Sequence, residues 1–374
     1  MSNAYSRAGV DVAAGDRAVE LMKSSVQATL GPQVIASLGG FAGLWDASAL
    51  RHYRRPVLAT STDGVGTKLA IAQAMDVHGT IGFDLVGMVV DDIAVTGAKP
   101  LFMTDYIATG KVDPAKIAAV VAGVAAACAQ TGTALIGGET AEHPGVMRAD
   151  EYDIAGAAVG VVEFDDLLTP ERAAQGDVVL GLASSGLHSN GYSLVRAVVD
   201  DLGWELAREV PELGRTLGEE LLEPTRLYSP SLMKLAAALG PDLHGLAHVT
   251  GGGLASNLAR VLPPRLGAVV SRAAWPVPPI FHLLHDAGHV VWADLERTLN
   301  LGMGMVAVVA ATAVQQALAV LAEAGEQAAP IGRLAALGDL RAEADERGSG
   351  PADLVAAAKG AAGGEVLLVD AYRD

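Results

Sequence analysis

A short segment at 62–68, TDGVGTK, has the residue types of a phosphate-binding loop. Glycines let a backbone approach phosphate oxygens closely, and a lysine supplies a mobile positive charge. Asp63 stands at the end of a strand-like stretch, and Mg²⁺ binds through one or two carboxylates together with phosphate oxygens. GxxxxGKS/T occurs nowhere in the chain, so this is not a Walker A loop, and a tight turn with a surface lysine fits the bare motif equally well. The candidate nucleotide contacts are Gly64, Gly66, Thr67 and Lys68, with Asp63 as a metal ligand and with Asp63 and Lys68 as catalytic residues.

A pair of carboxylates, Asp91 and Asp92, interrupts an otherwise apolar helical pattern. Adjacent residues on a helix point about 100° apart, so the two side chains need not share one site. Charged side chains are rarely buried unless they are paired or bind a metal, and this favours a metal site over the exposed edge of an amphipathic helix. Both residues are therefore candidate magnesium ligands.

Two glycines, Gly137 and Gly138, follow another strand-like stretch and precede Glu139. Glycines at the end of a strand, followed by a carboxylate, suit a site for a metal and a phosphate. We predict that the strand ends at these glycines and that both contact the nucleotide. Glu139 is either a further magnesium ligand or a solvated loop residue.

The second half of the chain carries two polar, glycine-rich loops, each between a strand-like and a helical stretch. The first contains His188, Ser189 and Asn190, and the second is the run from Thr250 to the three glycines at 251–253. Hydrogen-bonding groups in front of a helix suit an anion or a sugar, although an ordinary capped loop or a close backbone contact explains each loop alone. The candidate substrate contacts are Ser189, Asn190, Thr250, Gly251 and Gly252, with His188 as a catalytic residue.

Strand-like and helical stretches alternate along the chain, which predicts α/β domains with mixed sheets. A chain of 374 residues exceeds the roughly 250–300 that share one core, so two domains are expected. A polar stretch at 165–176 marks the boundary, giving domains at 1–167 and 168–340. The composition beyond 340 predicts a loosely ordered tail, with one short helix at most, over 341–374.

The formal net charge of −17 argues against a nucleic-acid partner, because an acidic surface repels phosphate backbones. The single cysteine, Cys128, lies in a helical Ala/Val run and reads as a core residue. Residues 1–10 lack the apolar core of a signal peptide, and the apolar run at 117–129 is shorter than the roughly 20 residues of a membrane span. We expect a cytoplasmic protein with no membrane partner.

Taken together, the motifs resemble the aminoimidazole ribonucleotide synthetase family, and the resemblance runs from about 5 to about 338. The matching segments include AGVD at 8–11, LGGF at 38–41, TDGVGTK at 62–68, GAKPLFMTDYIATGK at 97–111, GGETAEHPG at 137–145, SSGLHSNGYSLVR at 184–196, HVTGGG at 248–253 and RTLNLGMGM at 297–305. Asp91 stands where many relatives carry asparagine, and His143 replaces a commoner methionine.

The resemblance implies ATP-driven ring closure of formylglycinamidine ribonucleotide to aminoimidazole ribonucleotide, with ATP and Mg²⁺ as cofactors. It implies an N-terminal domain that binds ATP and pairs through its sheet in a homodimer, and a C-terminal domain that completes the active-site cleft. Asp63, Asp92 and Glu139 would bind magnesium, with Asp91 beside them. A small-molecule kinase of the same superfamily, such as a thiamine-phosphate kinase, and a non-catalytic nucleotide-binding scaffold are the alternatives.

Overall fold

The computed structural model describes residues 11–35, 40–350, 352–358 and 361–373. Residues 8–10 and 38–39, which belong to two of the matching segments, lie outside the described residues. The described chain divides into two compact units, one of residues up to Ala94 with Ala98–Phe164, the other of Val95–Gly97 with Asp165–Asp374. The boundary predicted at 167 lies three residues from the one observed.

The first unit is a four-stranded sheet covered by helices on one face. Its elements are α1 (Val12–Gln27), β1 (Pro56–Gly64), α2 (Leu69–Met75), α3 (Ile81–Ala94), β2 (Lys99–Thr109), α4 (Pro114–Thr131), β3 (Ala134–Glu142) and β4 (Tyr152–Glu163). The strand order is β1-β4-β2-β3, and only β2 and β3 are parallel. Helix α3 packs on β1 and β4, α4 packs on α3 and β3, and α1 packs on α4.

Helix α4 begins as its sequence predicts, with Asp113 accepting from two backbone N–H groups and Pro114 in the first turn. At 18 residues it is long and apolar enough to pass a membrane-span test by length and composition. Its buried residues pack inside the first unit, as in a core helix of a globular domain. Cys128 is among them, and burial raises the pKa of its thiol.

Helix α4 makes backbone contact, at two glycines, with the start of α3 and with the turn just before it. A Cβ on Gly123 would lie 2.0 Å from the carbonyl oxygen of Gly79, and a Cβ on Gly82 would lie 2.0 Å from the backbone nitrogen of Val124. Neither neighbour is a flexible side chain, so a methyl group here would push the helices apart.

We expect Gly123→Ala to lower the free energy of unfolding by about 2–3 kcal/mol, because overpacking a rigid contact shifts backbone. Chemical denaturation of the purified variant measures this. Gly338→Ala is the matched control, since nothing lies within 4 Å of the added methyl group at that helical position. Equal denaturation midpoints for the two variants would contradict the close crossing.

The second unit is built on a seven-stranded sheet of order β12-β13-β9-β11-β5-β10-β8. Its strands are β5 (Val178–Ala183), β6 (Glu209–Val210), β7 (Arg215–Thr216), β8 (Leu243–His248), β9 (Leu266–Ser271), β10 (Met303–Val309), β11 (Ala328–Ala336), β12 (Leu354–Ala356) and β13 (Glu365–Val369), with β6 and β7 as a separate pair. Its helices are α5 (Tyr192–Asp201), α6 (Leu217–Leu221), α7 (Ser229–Leu239), α8 (Gly253–Arg260), α9 (Pro279–Asp286), α10 (Trp292–Glu296), α11 (Val314–Glu323) and α12 (Leu337–Arg347).

The prediction of a loosely ordered tail from 341 was wrong for the described residues, which belong to the second unit. Strand β13 pairs with β9 inside the sheet, and its side chains alternate between two cores. Val366 and Leu368 pack in the core that contains α8, whereas Leu367 and Val369 pack against α12. The charged composition of this segment gives little sign of an ordered helix. Only two residues of α12, Leu340 and Ala344, one turn apart, pack in the core against the sheet.

Candidate functional site

The segment at the end of β1 contains a buried ion pair, so the alternative interpretation of Lys68 as a surface lysine on a tight turn is wrong. Lys68 Nζ lies 2.7 Å from Asp84 Oδ1, and both side chains are fully buried. Gly66, two residues before Lys68, has a left-handed conformation with φ of 74°, which explains why a glycine stands at that position. Asp84 lies in the first turn of α3, so this ion pair fixes the loop to the helix.

Helix α3 carries three carboxylates, Asp84, Asp91 and Asp92. Asp84 and Asp91 are seven residues apart, hence on the same helix face, and both are buried. Asp92 projects in another direction and is half-buried. Asp91 and Asp92 thus differ in burial, as adjacent positions on one helix allow. The sequence analysis does not single out Asp84, although its place in the apolar run IGFDLVGM is the same signal that marks Asp91.

The strand register places the predicted metal ligands on two faces of the sheet. One row runs through Asp63, Gly156, Asp105 and Gly138, and the next runs through Gly64, Ala155, Tyr106 and Glu139. Neighbouring rows project to opposite faces. Asp63 therefore lies on the helix-covered face and Glu139 on the open face, so one copy does not bring these two carboxylates together.

The strand does not end at Gly137 and Gly138 as predicted, because both glycines lie inside β3. At Gly138 a side chain is excluded by contact, since a Cβ there would lie 1.8 Å from Asp105 Oδ1. Further along the strand, the Glu142 carboxylate accepts from the N–H groups of Asp11 and Val112 at 2.6 Å. Glu142 thereby ties the start of α1 to the sheet.

No three His, Cys, Asp or Glu side chains form a ready-made metal site in the part of the chain that the structure describes. A magnesium ion held partly by phosphate oxygens needs only one or two carboxylates. Asp63 and Asp92, both half-buried oxygen donors of the first unit, fit that requirement.

The first unit also encloses a cavity of about 420 Å³ between α1 and β3. Gly137, Gly138 and Glu139 line it, as does Asp105. Asp105 Oδ2 is buried and makes no hydrogen bond to a described residue. Burial raises the pKa of this carboxyl group to about 7. Asp105 was missed by the sequence reasoning, because an aspartate inside a strand gives no signal of its own.

In the second unit, strand order brings the two predicted substrate loops to one edge of the sheet. Strands β5 and β8 are both antiparallel to β10, which lies between them, so their C-terminal ends meet at the same edge. The loop after β5 carries His188 to Asn190, and the loop after β8 carries Thr250 to Gly252. They are close neighbours, since a Cβ on Gly251 would lie 3.5 Å from Asn190 Oδ1.

His188 occupies a constrained position within this edge. Its φ of 61° is left-handed, its side chain is buried, and its Nε2 accepts from the N–H of Ser185 at 3.2 Å. Gly304 of β10 makes room for it, because a Cβ there would lie 2.4 Å from the ring and 2.2 Å from the Tyr228 hydroxyl. A non-glycine residue in this conformation costs free energy, as is common at functional sites.

Both loops lead into helices whose N-cap residue is glycine. Gly191 precedes α5 with φ of 78°, and Gly252 precedes α8 with φ of 98°, so neither N-cap residue supplies a side-chain acceptor. The first N–H groups of a helix need acceptors, and the helix dipole favours an anion there. The alternative interpretation of the loop before α5 is an ordinary capped loop with Asn190 or Ser193 as the cap, whereas the observed N-cap residue is Gly191.

A second layer of residues, which the sequence reasoning missed, holds the loop after β5. Asn300 donates to the carbonyl of Gly186 at 2.9 Å and accepts from the N–H of Gly302 at 2.9 Å. Ser185 Oγ donates to the carbonyl of Pro224 at 2.6 Å. Asn300 belongs to the segment RTLNLGMGM, so its place in the resemblance was the available signal.

Two family models match this chain, and they define its class. The AIR synthase related protein N-terminal domain matches 45–162, and the C-terminal domain of the same class matches 174–345. The chain belongs to the phosphoribosylformylglycinamidine cyclo-ligase family within that class. It is 50% identical over 335 residues to the cyclo-ligase of Geobacillus sp. strain WCH70, covering 89% of this chain and 96% of that protein. It is 52% identical over 336 residues to the cyclo-ligase of Shouchella clausii strain KSM-K16, with 89% and 96% covered.

Solved structures share the fold at much lower sequence identity. Thiamine-monophosphate kinase from Stenotrophomonas maltophilia K279a superposes with a TM-score of 0.61 at 20% identity, covering 84% of this chain and 93% of that one. This likeness bears out the two-domain α/β fold and carries no statement about the reaction.

Proposed function

We propose that this chain closes the imidazole ring of aminoimidazole ribonucleotide, using ATP and releasing ADP and phosphate. The proposal rests mainly on sequence identity: about half of the aligned residues are identical to those of known cyclo-ligases, and the alignment covers 96% of each of those proteins. The kinase alternative rests on a neighbour of only 20% identity. A scaffold that had lost catalysis would be expected to lose Asp63 or Lys68, and both are present.

The chemistry consists of two displacements. The formyl oxygen of the substrate attacks the γ-phosphorus of ATP, and ADP leaves. The formyl oxygen, which is a poor leaving group by itself, can then depart as phosphate. The ring-forming nitrogen then attacks the activated carbon, and phosphate and a proton depart. The protein must therefore hold reactants in line and neutralise charge on the transferring phosphoryl group.

We assign the nucleotide to the first unit. A Mg²⁺ ion bound with ATP would neutralise phosphate charge, and Asp63 and Asp92 are the residues that would hold it, with Asp91 beside Asp92. Gly64, Gly66 and Thr67 supply backbone and hydroxyl groups for phosphate oxygens. Lys68 contributes through its ion pair with Asp84 by fixing the loop, and its predicted contact with phosphate would require the ammonium to leave this fully buried position.

The substrate is assigned to the second unit. Its phosphate suits the N–H groups at the starts of α5 and α8, which lie at one sheet edge and follow glycine N-cap residues. Ser189, Asn190 and Thr250 supply hydrogen bonds, while Gly251 and Gly252 allow close backbone approach. His188 is assigned to the reacting end, with its ring held by Ser185.

We further propose a cytoplasmic homodimer that pairs through the open face of the first sheet. That face exposes apolar side chains, with Leu58 59% and Tyr106 41% exposed. An uncovered sheet face of this kind is usually buried against a partner. Glu139 projects from the same face, so it would approach the second copy, not the Asp63 of its own chain.

Leu58→Glu is expected to convert the dimer to monomer, because a charge on a buried interface face costs several kcal/mol. Sedimentation velocity across a concentration series measures this. Val146→Glu is the matched control, since Val146 is 81% exposed in a loop of the same unit. A Leu58→Glu protein that dimerises as tightly as the control would remove the open face from the interface.

Formation of aminoimidazole ribonucleotide from formylglycinamidine ribonucleotide, with matched release of ADP, tests the proposed reaction. Absence of product from folded enzyme that binds ATP would refute it.

A further inference from the structure

The last two strands of the second sheet follow the range 174–345 that defines the C-terminal domain of the class. They are β12 and β13, and β13 pairs in parallel with β9 along its whole length. We call residues 352–358 and 361–373 the C-terminal segment. Its side chains and carbonyl groups make contacts that lead from the edge of the sheet towards the two substrate loops.

Arg272, just after β9, joins the C-terminal segment to α10. Its guanidinium group uses all five of its N–H donors. Two of them bind the carboxylate of Glu296, the last residue of α10. The other three go to the C-terminal segment, to Asp353 Oδ1 at 2.9 Å and to the carbonyl oxygens of Leu368 and Asp370 at 3.2 and 3.4 Å. The side chains of Arg272 and Glu296 are only 13% and 7% exposed, so this bidentate pair is more rigid than a surface ion pair.

Tyr372 adds a second attachment to the same region. Its ring centroid lies 5.0 Å from that of Trp292, the first residue of α10, and 5.9 Å from that of Trp275. The indole N–H of Trp275 in turn donates to the carbonyl of Leu301 at 2.9 Å. Packed aromatic rings have few alternative arrangements, so Tyr372 helps to fix both α10 and Leu301.

The residues between these attachments support both substrate loops from below. A Cβ on Gly253, the first residue of α8, would lie 1.7 Å from the carbonyl oxygen of Glu296. A Cβ on Gly191, just before α5, would lie 2.3 Å from the side chain of Leu299. Asn300, the next residue, carries the hydrogen bonds that hold the loop after β5. A shift of this support would therefore displace both loops.

We propose that the C-terminal segment positions the substrate loops through Arg272 and Glu296, which makes Asp353 and Tyr372 positioning residues for the substrate phosphate. The inference rests on the assignment of the substrate to the second unit under the proposed function. The N–H groups at the starts of α5 and α8 can share one phosphate only while the two loops keep their spacing. This phosphate is remote from the forming ring, so its contacts are the same in the ground state and the transition state. Their loss should raise KM for the substrate and leave kcat unchanged.

Two variants of the full-length enzyme release the segment at different points. Asp353→Ala removes a carboxylate from Arg272, and Tyr372→Ala removes the ring that packs on the two tryptophans. Each should raise KM for formylglycinamidine ribonucleotide about tenfold, with kcat and KM for ATP within about twofold of the wild type. Tyr372→Phe keeps the ring and should stay within about threefold of the wild-type KM. Glu365→Ala is the matched control, because it breaks an ion pair between β13 and Arg341 of α12 and should leave KM unchanged.

A double variant shows whether the segment acts through Glu296. Glu296→Ala separates Arg272 from α10 and should raise KM at least as much as Asp353→Ala does. Adding Asp353→Ala to Glu296→Ala should then change KM by less than about twofold, because the connection from Asp353 to the loops is already broken. A general loss of stability would instead multiply the two single effects, and that result would overturn the inference.

Hydrogen exchange tests the inference independently of turnover. Amide exchange in 185–196 and 250–256 should be faster in Asp353→Ala and Tyr372→Ala than in the wild type or in Glu365→Ala. Unaltered exchange in these loops overturns the positioning role, whatever the activity. Faster exchange with an unaltered KM overturns it too, since the loops then bind substrate without the segment.

The outcomes also separate this inference from the proposed reaction. Cyclisation with a KM that neither variant alters overturns the positioning role and leaves the reaction intact. Wild-type protein that binds formylglycinamidine ribonucleotide without cyclising it refutes the reaction. In that case the dissociation constant of this ligand, measured by calorimetry, replaces KM in the same comparison, and a rise of about tenfold in both variants supports the positioning role.

Discussion

Replacing Lys68 with methionine is expected to lower the free energy of unfolding by about 3–5 kcal/mol, because removing one partner of a buried ion pair leaves the other charge in the interior. The ammonium lies 2.7 Å from the Asp84 carboxylate, and both side chains have 0% exposure. From the sequence alone, Lys68 is expected to be needed for turnover but not for folding. Its burial in an ion pair means that it is needed for folding stability as well. Urea denaturation followed by circular dichroism measures the loss.

A double variant separates the structural role of Lys68 from its role in catalysis. Lys68→Met combined with Asp84→Leu replaces the ion pair by apolar groups, which is often neutral for stability or better. We expect this variant to regain most of the lost stability while turnover stays about 100-fold reduced. Wild-type turnover in a stable double variant would remove Lys68 from the mechanism, and a wild-type denaturation midpoint for Lys68→Met would contradict the ion pair.

Asp63→Asn is expected to lower kcat/KM by about 100-fold or more at a fixed, moderate Mg²⁺ concentration, because the amide keeps the shape but loses the charge that holds the ion. Asp63 Oδ1 accepts from the N–H of Gly64 at 2.7 Å, and an asparagine oxygen preserves that bond. The fold should therefore be unchanged. Steady-state rates over a series of Mg²⁺ concentrations measure the effect.

The matched control is Asp150→Asn, which removes a carboxylate that is 67% exposed and paired with Arg148 at the surface. Surface ion pairs contribute little, so its rate and its magnesium dependence should equal those of the wild type. Partial rescue of Asp63→Asn by excess Mg²⁺ supports a ligand role. A variant with normal rates at all Mg²⁺ concentrations would exclude Asp63 from the metal site.

The order of elements and the double α/β architecture follow from local patterns. Helix α9 begins at Pro279, β10 begins at Met303 just after Gly302, and β2 ends at Thr109 just before Gly110, because prolines and glycines set such boundaries locally. Helices α1 and α7 have weaker local signals. In α1 only Ala18 and Val26 are buried, so its apolar stripe is weak, and α7 opens with a proline-containing segment that reads as a loop.

The parts of the site that could not be predicted depend on tertiary contacts. Register decides that Glu139 projects to the opposite face from Asp63, and a shift of one residue would reverse that outcome. Lys68 reads as a surface residue until α3 brings Asp84 to it. By contrast, His188 to Asn190 and Thr250 to Gly252 lie together as the sequence suggested, because two parallel strands carry both loops to one edge.

The most direct test of the central claim is a coupled assay of the full-length protein with formylglycinamidine ribonucleotide, ATP and Mg²⁺, following ADP and aminoimidazole ribonucleotide together. We predict substrate-dependent ADP release matched one-to-one by the aminoimidazole product. Folded protein that binds ATP but shows no stimulation of ADP release by this substrate, and no product, would contradict the account.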